Sequence, residues 1–377
     1  MSFKFIAYAD IHYDRLAAQC VTFDDCAEVE KQVHQRVSEG DFDFTVFIGD
    51  RFLKRNPEDE IKTKADQILL NILSNENRRA PHYSLIGNHD WVTNSMRWHT
   101  SESLKWLSRF TGKLTVMDEA KTYPVMILGK HYPEVLLHSL PAGAKFDFSK
   151  FGTDPKQFNL FLFHDMLKGS FMDDSEKMRF DSGIEISEID RPEFDMVLAG
   201  DIHVPQPFPL KNVPKGGYVG AVLQRTRADA DKERGWVEVE VKGGPGAWEI
   251  NTQFVPTKPL FSCLDFAVDS QTTFESLDVD ENFVKDKRIE VKLTGKKIDV
   301  DRVADDPRWR NFVDILGARK MDIARDYEIE SRDAVIDLSQ SRNIGHDLEL
   351  YLDSGFGSLG TLGREKMFEV LGEVENS

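Results

Sequence analysis

Five short apolar runs in this chain break off into side chains that bind cations. They are "FKFIAYADIH" at 3–12, "FDFTVFIGD" at 42–50, "HYSLIGNHD" at 82–90, "FNLFLFHD" at 158–165 and "FDMVLAGDIH" at 194–203. Runs that are apolar at nearly every position, rather than at every second one, suit strands buried on both faces, as in parallel sheets covered by helices. In open sheets of that kind, ligands bind beyond the carboxyl ends of the strands, where several loops converge. The polar ends of these runs are therefore expected to meet, and the Asp-Ile-His at 10–12 and its echo at 201–203 become two edges of one site.

Between the runs lie segments of helical spacing: 24–39, closed by Gly40, then 58–77 after Pro57, then 95–110. That rhythm implies a layered α/β domain. From about residue 123 the chain becomes strand-rich, and "PVMILG", "EVLLHSL", "FNLFLFHD", "FDMVLAGDIH", "GGYVGAV" and "GWVEVEV" are expected to build a second sheet packed on the first. "GGPGAW" at 243–248 reads as a hairpin turn and "VPTKPL" at 255–260 as a linker. The expected fold class is α/β, a two-sheet sandwich flanked by helices over 1–256. A small α+β cap module over 257–335 follows, built from "FSCLDFAV", "RIEVKLTG", a helix near "PRWRNFVDILGA" and "RDYEIE", and then a helical C-terminal tail over 336–377.

A length of 377 residues is more than one ordinary core accommodates, which fits this division. The formal charge of −17, from 48 basic and 65 acidic residues, argues against binding polyanions by a global positive field. Any nucleic-acid contact has to be local, metal-assisted or shared with a partner. Three cysteines without a C-x-x-C pair indicate neither a disulfide framework nor a zinc knuckle, and point to a reducing, cytoplasmic setting. No apolar run approaches 18 residues, so no membrane span is expected.

The candidate ligands are Asp10, His12, Asp50, Asn88, His164, Asp201 and His203. Carboxylate, imidazole and amide donors suit divalent ions of intermediate hardness, such as manganese, better than thiolate sets do. One carboxylate can bridge two ions about 3.5–4 Å apart, and such a pair clamps the attacking and leaving oxygens of a phosphoester displacement. Taken singly, most of these residues have an ordinary structural explanation: Gly49-Asp50 suits a tight turn, and His164 suits a strand end. The run Gly87-Asn88-His89-Asp90 directly after an apolar strand does not. His34, His82, His99, His131, His138 and His346 read as packing or surface residues, and the aromatics at 91, 98, 106 and 110 as core rather than a base-stacking platform.

With "ADIH", "GD", "GNHD", "FHD" and "GDIHVPQ" in that order, the chain resembles the calcineurin-like metallophosphoesterases, and among them the SbcD-like DNA repair nuclease subunits, including phage-type counterparts. "YVGAVLQRTRADADKERGWVEVEV" at 218–241 is similar to the stretch that follows the site in that family. The motif likeness covers about residues 1–255, and the remainder matches in layout. The resemblance implies a four-layer fold holding two divalent metal ions, Mn2+ first and Mg2+ second. Asp10, His12, Asp50 and His203 would hold one ion; Asp50 would bridge to the other, held also by Asn88, His164 and Asp201. His89 would protonate the leaving oxygen and Asp90 would orient its imidazole.

The activity so implied is a 3′ to 5′ exonuclease on duplex ends and an endonuclease on single strands or hairpins, acting in DNA repair, recombination or end processing. It would work as a homodimer with an SbcC-like, SMC-type ATPase and without a membrane. A stand-alone phosphoesterase on small molecules or phosphoproteins, and a binding scaffold with weakened catalysis, are the alternatives. Two positions depart from the family pattern: Asp201 replaces a usual histidine, which would harden the site, and Arg51 replaces a usual apolar residue, where pairing with a nearby acid is expected. In the tail, Met367, Phe368, Leu371 and Val374 make one apolar helix face, which either packs on the cap module or docks on the ATPase.

Overall fold

A computed structural model describes residues 2–14, 21–75, 79–91, 102–125, 135–172, 176–225, 229–230, 232–277, 279, 284–309 and 317–328. The expected tail over 336–377 lies outside them, as do His99, His131 and His346.

The first sheet is built around three parallel strands, β1 (Ser2–Tyr8), β2 (Phe44–Ile48) and β3 (His82–Leu85), followed outward by β4 (Leu114–Met117). Alternate residues of β1 face opposite ways. Phe3, Phe5 and Ala7 join the core between the two sheets, whereas Ile6 and Tyr8 pack toward Val29, Val33 and Val37 of α1 (Phe23–Glu39) and Ala65 of α2 (Asp59–Ser74). Burial of both faces is why the run reads as apolar throughout. Helix α1 starts at a capping box in which Thr22 and Asp25 satisfy each other's backbone N–H groups, and ends before Gly40, as the sequence suggests.

The second sheet runs in the order β5 (Lys121–Val125), β6 (Val135–Leu140), β7 (Phe158–His164), β8 (Met196–Gly200), β10 (Lys215–Tyr218), β9 (Gln206–Pro207). Its inner residues Leu137, Phe158, Leu160, Leu162 and Leu198 meet those of β1 and β2. Its outer face is sealed by Phe151, Phe194 and Phe208, which pack on Phe161 and Phe163 with loops and the one-turn helix α4 (Ile186–Ile189).

Two expectations need correction. "GWVEVEV" does not extend the second sheet: as β11 (Gly235–Gly244) it pairs antiparallel with β1, Val239 opposite Phe5. Its hairpin partner β12 (Ala247–Pro256) completes the first sheet. The aromatics expected in the core divide: Trp91 is buried, but Trp106 and Phe110 of α3 (Glu102–Thr111) are 61% and 67% exposed and stack on each other at 5.4 Å. Leu104 and Leu107 occupy the inward face of that helix instead, against Leu69 and Leu73.

After the coil 257–260, β13 (Phe261–Val268), β14 (Arg288–Gly295) and β15 (Lys320–Tyr327) form a third sheet, parallel throughout. Together with α5 (Lys297–Ala304) it encloses its own core of Val268, Ile289, Val291, Leu293, Val300, Val303 and Trp309. Helix α5 spans only eight residues, "KIDVDRVA", too short a window for the helical spacing of Val300, Val303 and Ala304 to stand out in the sequence. Most of the helix expected near 307–318 lies outside the described residues.

Candidate metal centre

The carboxyl ends of β1, β2 and β3 in one sheet and of β7 and β8 in the other open on the same place. Oδ1 of Asp50 lies 3.2 Å from Nε2 of His164, and Nε2 of His12 lies 3.1 Å from Nε2 of His203. Asp10 reaches both groups, at 3.8 Å from His12 and 4.0 Å from His164. Three overlapping sets, Asp10–His12–His203, His12–Asp50–His89 and Asp10–Asp50–His164, bring potential ligand atoms within 4.8 Å of one another. Asn88 and Asp201 adjoin them, Nδ2 of Asn88 donating to Oδ1 of Asp201 at 2.9 Å and that oxygen lying 3.8 Å from Nε2 of His164. All seven candidate ligands and His89 thus converge.

The backbone is bent to achieve this. Asp10, His12, Asp50 and Asp201 have φ of +56°, +52°, +62° and +89°, a left-handed region that L-residues other than glycine seldom adopt. Such conformations persist where the surroundings over-determine them. The loops are also packed too closely for ordinary side chains: a Cβ on Gly49 would lie 2.3 Å from Nδ1 of His164, and one on Gly87 would lie 2.2 Å from Oδ1 of Asp50. That is the physical reason for glycine before Asp50 and before Asn88.

Main-chain carbonyls fix the imidazoles. Nδ1 of His164 lies 2.6 Å from the Ile48 carbonyl, Nδ1 of His12 3.3 Å from that of Phe52, and Nδ1 of His89 2.5 Å from that of Leu53. A ring that donates from Nδ1 presents a lone pair at Nε2, the arrangement metal-binding histidines use. His12 therefore turns a lone pair inward, and His164 would do so on giving up a proton from Nε2; His89 is half-buried, and its backbone N–H donates to Oδ1 of Asp50 at 2.9 Å. Asp90 was expected to orient His89. Its oxygens accept from the backbone N–H groups of Gly87, Asp50 and Arg51 at 2.9, 3.0 and 3.0 Å, so it braces two loops, and the Leu53 carbonyl is what orients His89.

Electrostatics mark the place as one for cations. Burial opposes the charge on Asp50, but His164 overcomes it and holds the carboxyl below its usual range. His164 is in turn raised well above the ordinary imidazole value: burial opposes its charge, but Asp50, Asp10 and Asp201 outweigh it. A buried site that draws a proton onto an imidazole to offset its carboxylates exchanges that proton for a metal ion readily. Burial raises Asp10 and, with help from Asp50, pushes Asp90 up to about 6. Burial, and then the nearby Arg225 guanidinium, bring His203 down to about 4. Two buried polar atoms, Oδ1 of Asn88 and Nε2 of His164, have no hydrogen-bond partner, His164 lying off the hydrogen-bond direction to Asp50. Buried polar atoms without partners are costly unless something binds them. The donor set, the inward-facing imidazole nitrogens and the orphaned atoms all fit divalent metal ions.

A family model for calcineurin-like phosphoesterases matches residues 3–205, which carry every one of these side chains. The chain belongs to the calcineurin-like phosphoesterase family. Members of this family are metal-dependent phosphoester hydrolases that use two divalent ions. No curated protein matches the sequence. Among solved structures, a dimetal phosphatase from Danio rerio is 11% identical, with 67% of this chain and 98% of that chain covered, at a TM-score of 0.41.

Several supporting residues carried no sequence signal, above all the carbonyls of Ile48, Phe52 and Leu53. One did have a signal. Arg51, which follows Gly49-Asp50, is buried and pairs with Glu30 at 2.8 Å, the pairing with an acid expected of it. His34, His82 and His138 are, as expected, satisfied inside the fold by Tyr8, Thr45, and Thr122 with Asn159. No helix among the described residues is long and apolar enough to cross a membrane.

Proposed function

We propose that this phosphoesterase is a two-metal phosphodiesterase that cleaves DNA. It would be the nuclease subunit of an SbcCD-like complex, working with manganese in repair or end processing. The observation that carries the chemistry is the convergence of oxygen and imidazole side chains with two buried atoms that have no hydrogen-bond partner, Asn88 Oδ1 and His164 Nε2. Asp10, His12, Asp50 and His203 would hold one ion, with Asp50, Asn88, His164 and Asp201 at the other. When bound, such ions neutralise charge on a phosphoryl oxygen and make water a better nucleophile at neutral pH. The chain's own part is to orient and to move a proton. Leu53 O fixes the His89 ring through Nδ1, leaving Nε2 as the atom that delivers a proton to the departing oxygen.

The DNA reading is supported by the sequence likeness and by the module that follows the family domain. That module joins the metal site through a short relay. Gln224 Oε1 accepts from the N–H groups of Leu260 and Phe261 at 2.7 and 2.8 Å, and the next residue, Arg225, donates to the carbonyl of Ile11, between Asp10 and His12, at 2.9 Å.

The test is a manganese-dependent assay of the purified protein on end-labelled duplex and hairpin DNA beside bis(p-nitrophenyl) phosphate, with and without a co-purifying ATPase. Cleavage of DNA with shortening from 3′ ends is expected. Turnover of the small ester with intact DNA would replace this reading by the stand-alone phosphoesterase. Deleting 336–377 is expected to abolish ATPase binding while leaving metal-dependent turnover.

A further inference from the structure

We propose that Glu30, on α1, is a positioning residue for the metal centre, clipping together from behind the two loops that carry His12 and Asp50. The inference rests on the metal-site reading above. Glu30 is 1% exposed. Its Oε2 accepts from the Tyr13 hydroxyl at 2.7 Å and its Oε1 from Nη1 of Arg51 at 2.8 Å. Tyr13 directly follows His12, and Arg51 directly follows Asp50. The Arg51 guanidinium also lies 5.5 Å from the centre of the Tyr13 ring and donates from Nη2 to the carbonyl of Ala65 in α2 at 2.8 Å.

In front of this trio the two loops run side by side. Asp10, His12 and Tyr13 donate backbone N–H groups to the carbonyls of Gly49, Asp50 and Arg51 at 3.1, 3.1 and 2.8 Å, and Leu53 returns one to Tyr13 at 3.1 Å. These bonds set the spacing of the strands. The left-handed φ of Asp50 is braced from one side by Asp90, which accepts from the N–H groups of Asp50 and Arg51. From the other side Glu30 grips the side chain that follows each of His12 and Asp50.

A stabilising role alone does not account for the trio. Buried ion pairs are often replaced by apolar residues at no loss of stability. This chain keeps a charge pair there, and the pair spans α1, α2 and both ligand loops. Outer-shell groups that orient ligands typically change metal affinity by about 10- to 100-fold when removed.

The test is calorimetric Mn2+ titration of the metal-free full-length protein, beside its melting temperature, for the parent, Glu30→Gln, Tyr13→Phe and the double variant Glu30→Leu with Arg51→Leu. Glu30→Gln is expected to weaken Mn2+ binding by about 10- to 100-fold and Tyr13→Phe by less. The double variant is expected to melt near the parent yet still bind weakly. Parent-like Mn2+ affinity in the folded variants would overturn the proposal, showing that the trio serves packing only. If Glu30→Gln does not fold, Tyr13→Phe, which lacks a single oxygen, decides alone. A parent that binds no Mn2+ would overturn the metal-site reading itself, and the positioning role with it.

Discussion

Nε2 of His12 and Nε2 of His203 face each other at 3.1 Å, though 191 residues separate them in the chain. Burial lowers both rings below the ordinary imidazole range, so neither brings a charge to the contact, and without metal they share one proton at most. An ion between them would replace that N–H···N contact with two ligand bonds. His203→Ala is therefore expected to weaken binding at one of two metal sites by tenfold or more while leaving the melting temperature of the metal-free protein nearly unchanged. Metal-binding isotherms of the two proteins check this; identical isotherms would remove His203 from the ligand set.

His89 occupies an ambiguous place, near enough to His12 and Asp50 to be counted as a ligand, yet half-exposed and tied at Nδ1 to Leu53. One remaining nitrogen cannot both coordinate an ion and deliver a proton. A ring that is only partly buried and tied at one nitrogen suits proton delivery, worth about 10²- to 10⁴-fold in rate. His89→Gln should thus lower kcat on phosphodiesters by that order with the metal stoichiometry intact. A variant that loses one bound ion would make His89 a ligand instead.

What was legible in the sequence follows from what local chemistry constrains. The apolar runs ending in Asp10, Asp50, His89, His164 and Asp201 could be read because burial on both faces removes polar residues from a strand and leaves those at its end conspicuous. The destination of β11 could not, since the alternation of Val237, Val239 and Val241 with acids marks a strand with two unlike faces but not the partner it will choose 230 residues away at β1. Helix α3 offered two apolar pairs, Leu104 with Leu107 and Trp106 with Phe110, and only the position of α2 decides which turns inward. The carbonyls that orient three imidazoles are backbone atoms, present at every residue and so invisible in any motif.

Asp201 stands where the resemblance described above leads one to expect a histidine. Its Oδ1 accepts from Asn88, and burial raises its pKa, against His164, which lowers it. A carboxylate oxygen is a harder ligand than an imidazole nitrogen and favours manganese or magnesium over zinc. Asp201→His is expected to shift the Mn2+ to Zn2+ affinity ratio by about tenfold toward zinc, read by competition titration on metal-free protein. An unchanged ratio would mean that Asp201 only steadies Asn88.

His138, on β6 and away from the metals, is expected to make the fold acid-sensitive. Burial brings its pKa down to about 4, although its contact with Asn159 favours the charged form. The network assigns the proton: Oδ1 of Asn159, 3.1 Å away, accepts from Nε2, so Nδ1 accepts from the Thr122 hydroxyl at 2.9 Å. Protonating Nδ1 would bury a charge and force the Thr122 hydroxyl to turn from donor to acceptor. The unfolded chain, with an ordinary value near 6.5, binds the extra proton first. Stability from this residue is therefore complete above pH about 6.5 and is lost as pH falls to about 4, by roughly 3 kcal/mol in total. Urea unfolding of the metal-free protein at pH 7.5 and 4.5 checks the sign, with His138→Gln expected to show the smaller fall; equal falls would show that His138 is not the group being titrated.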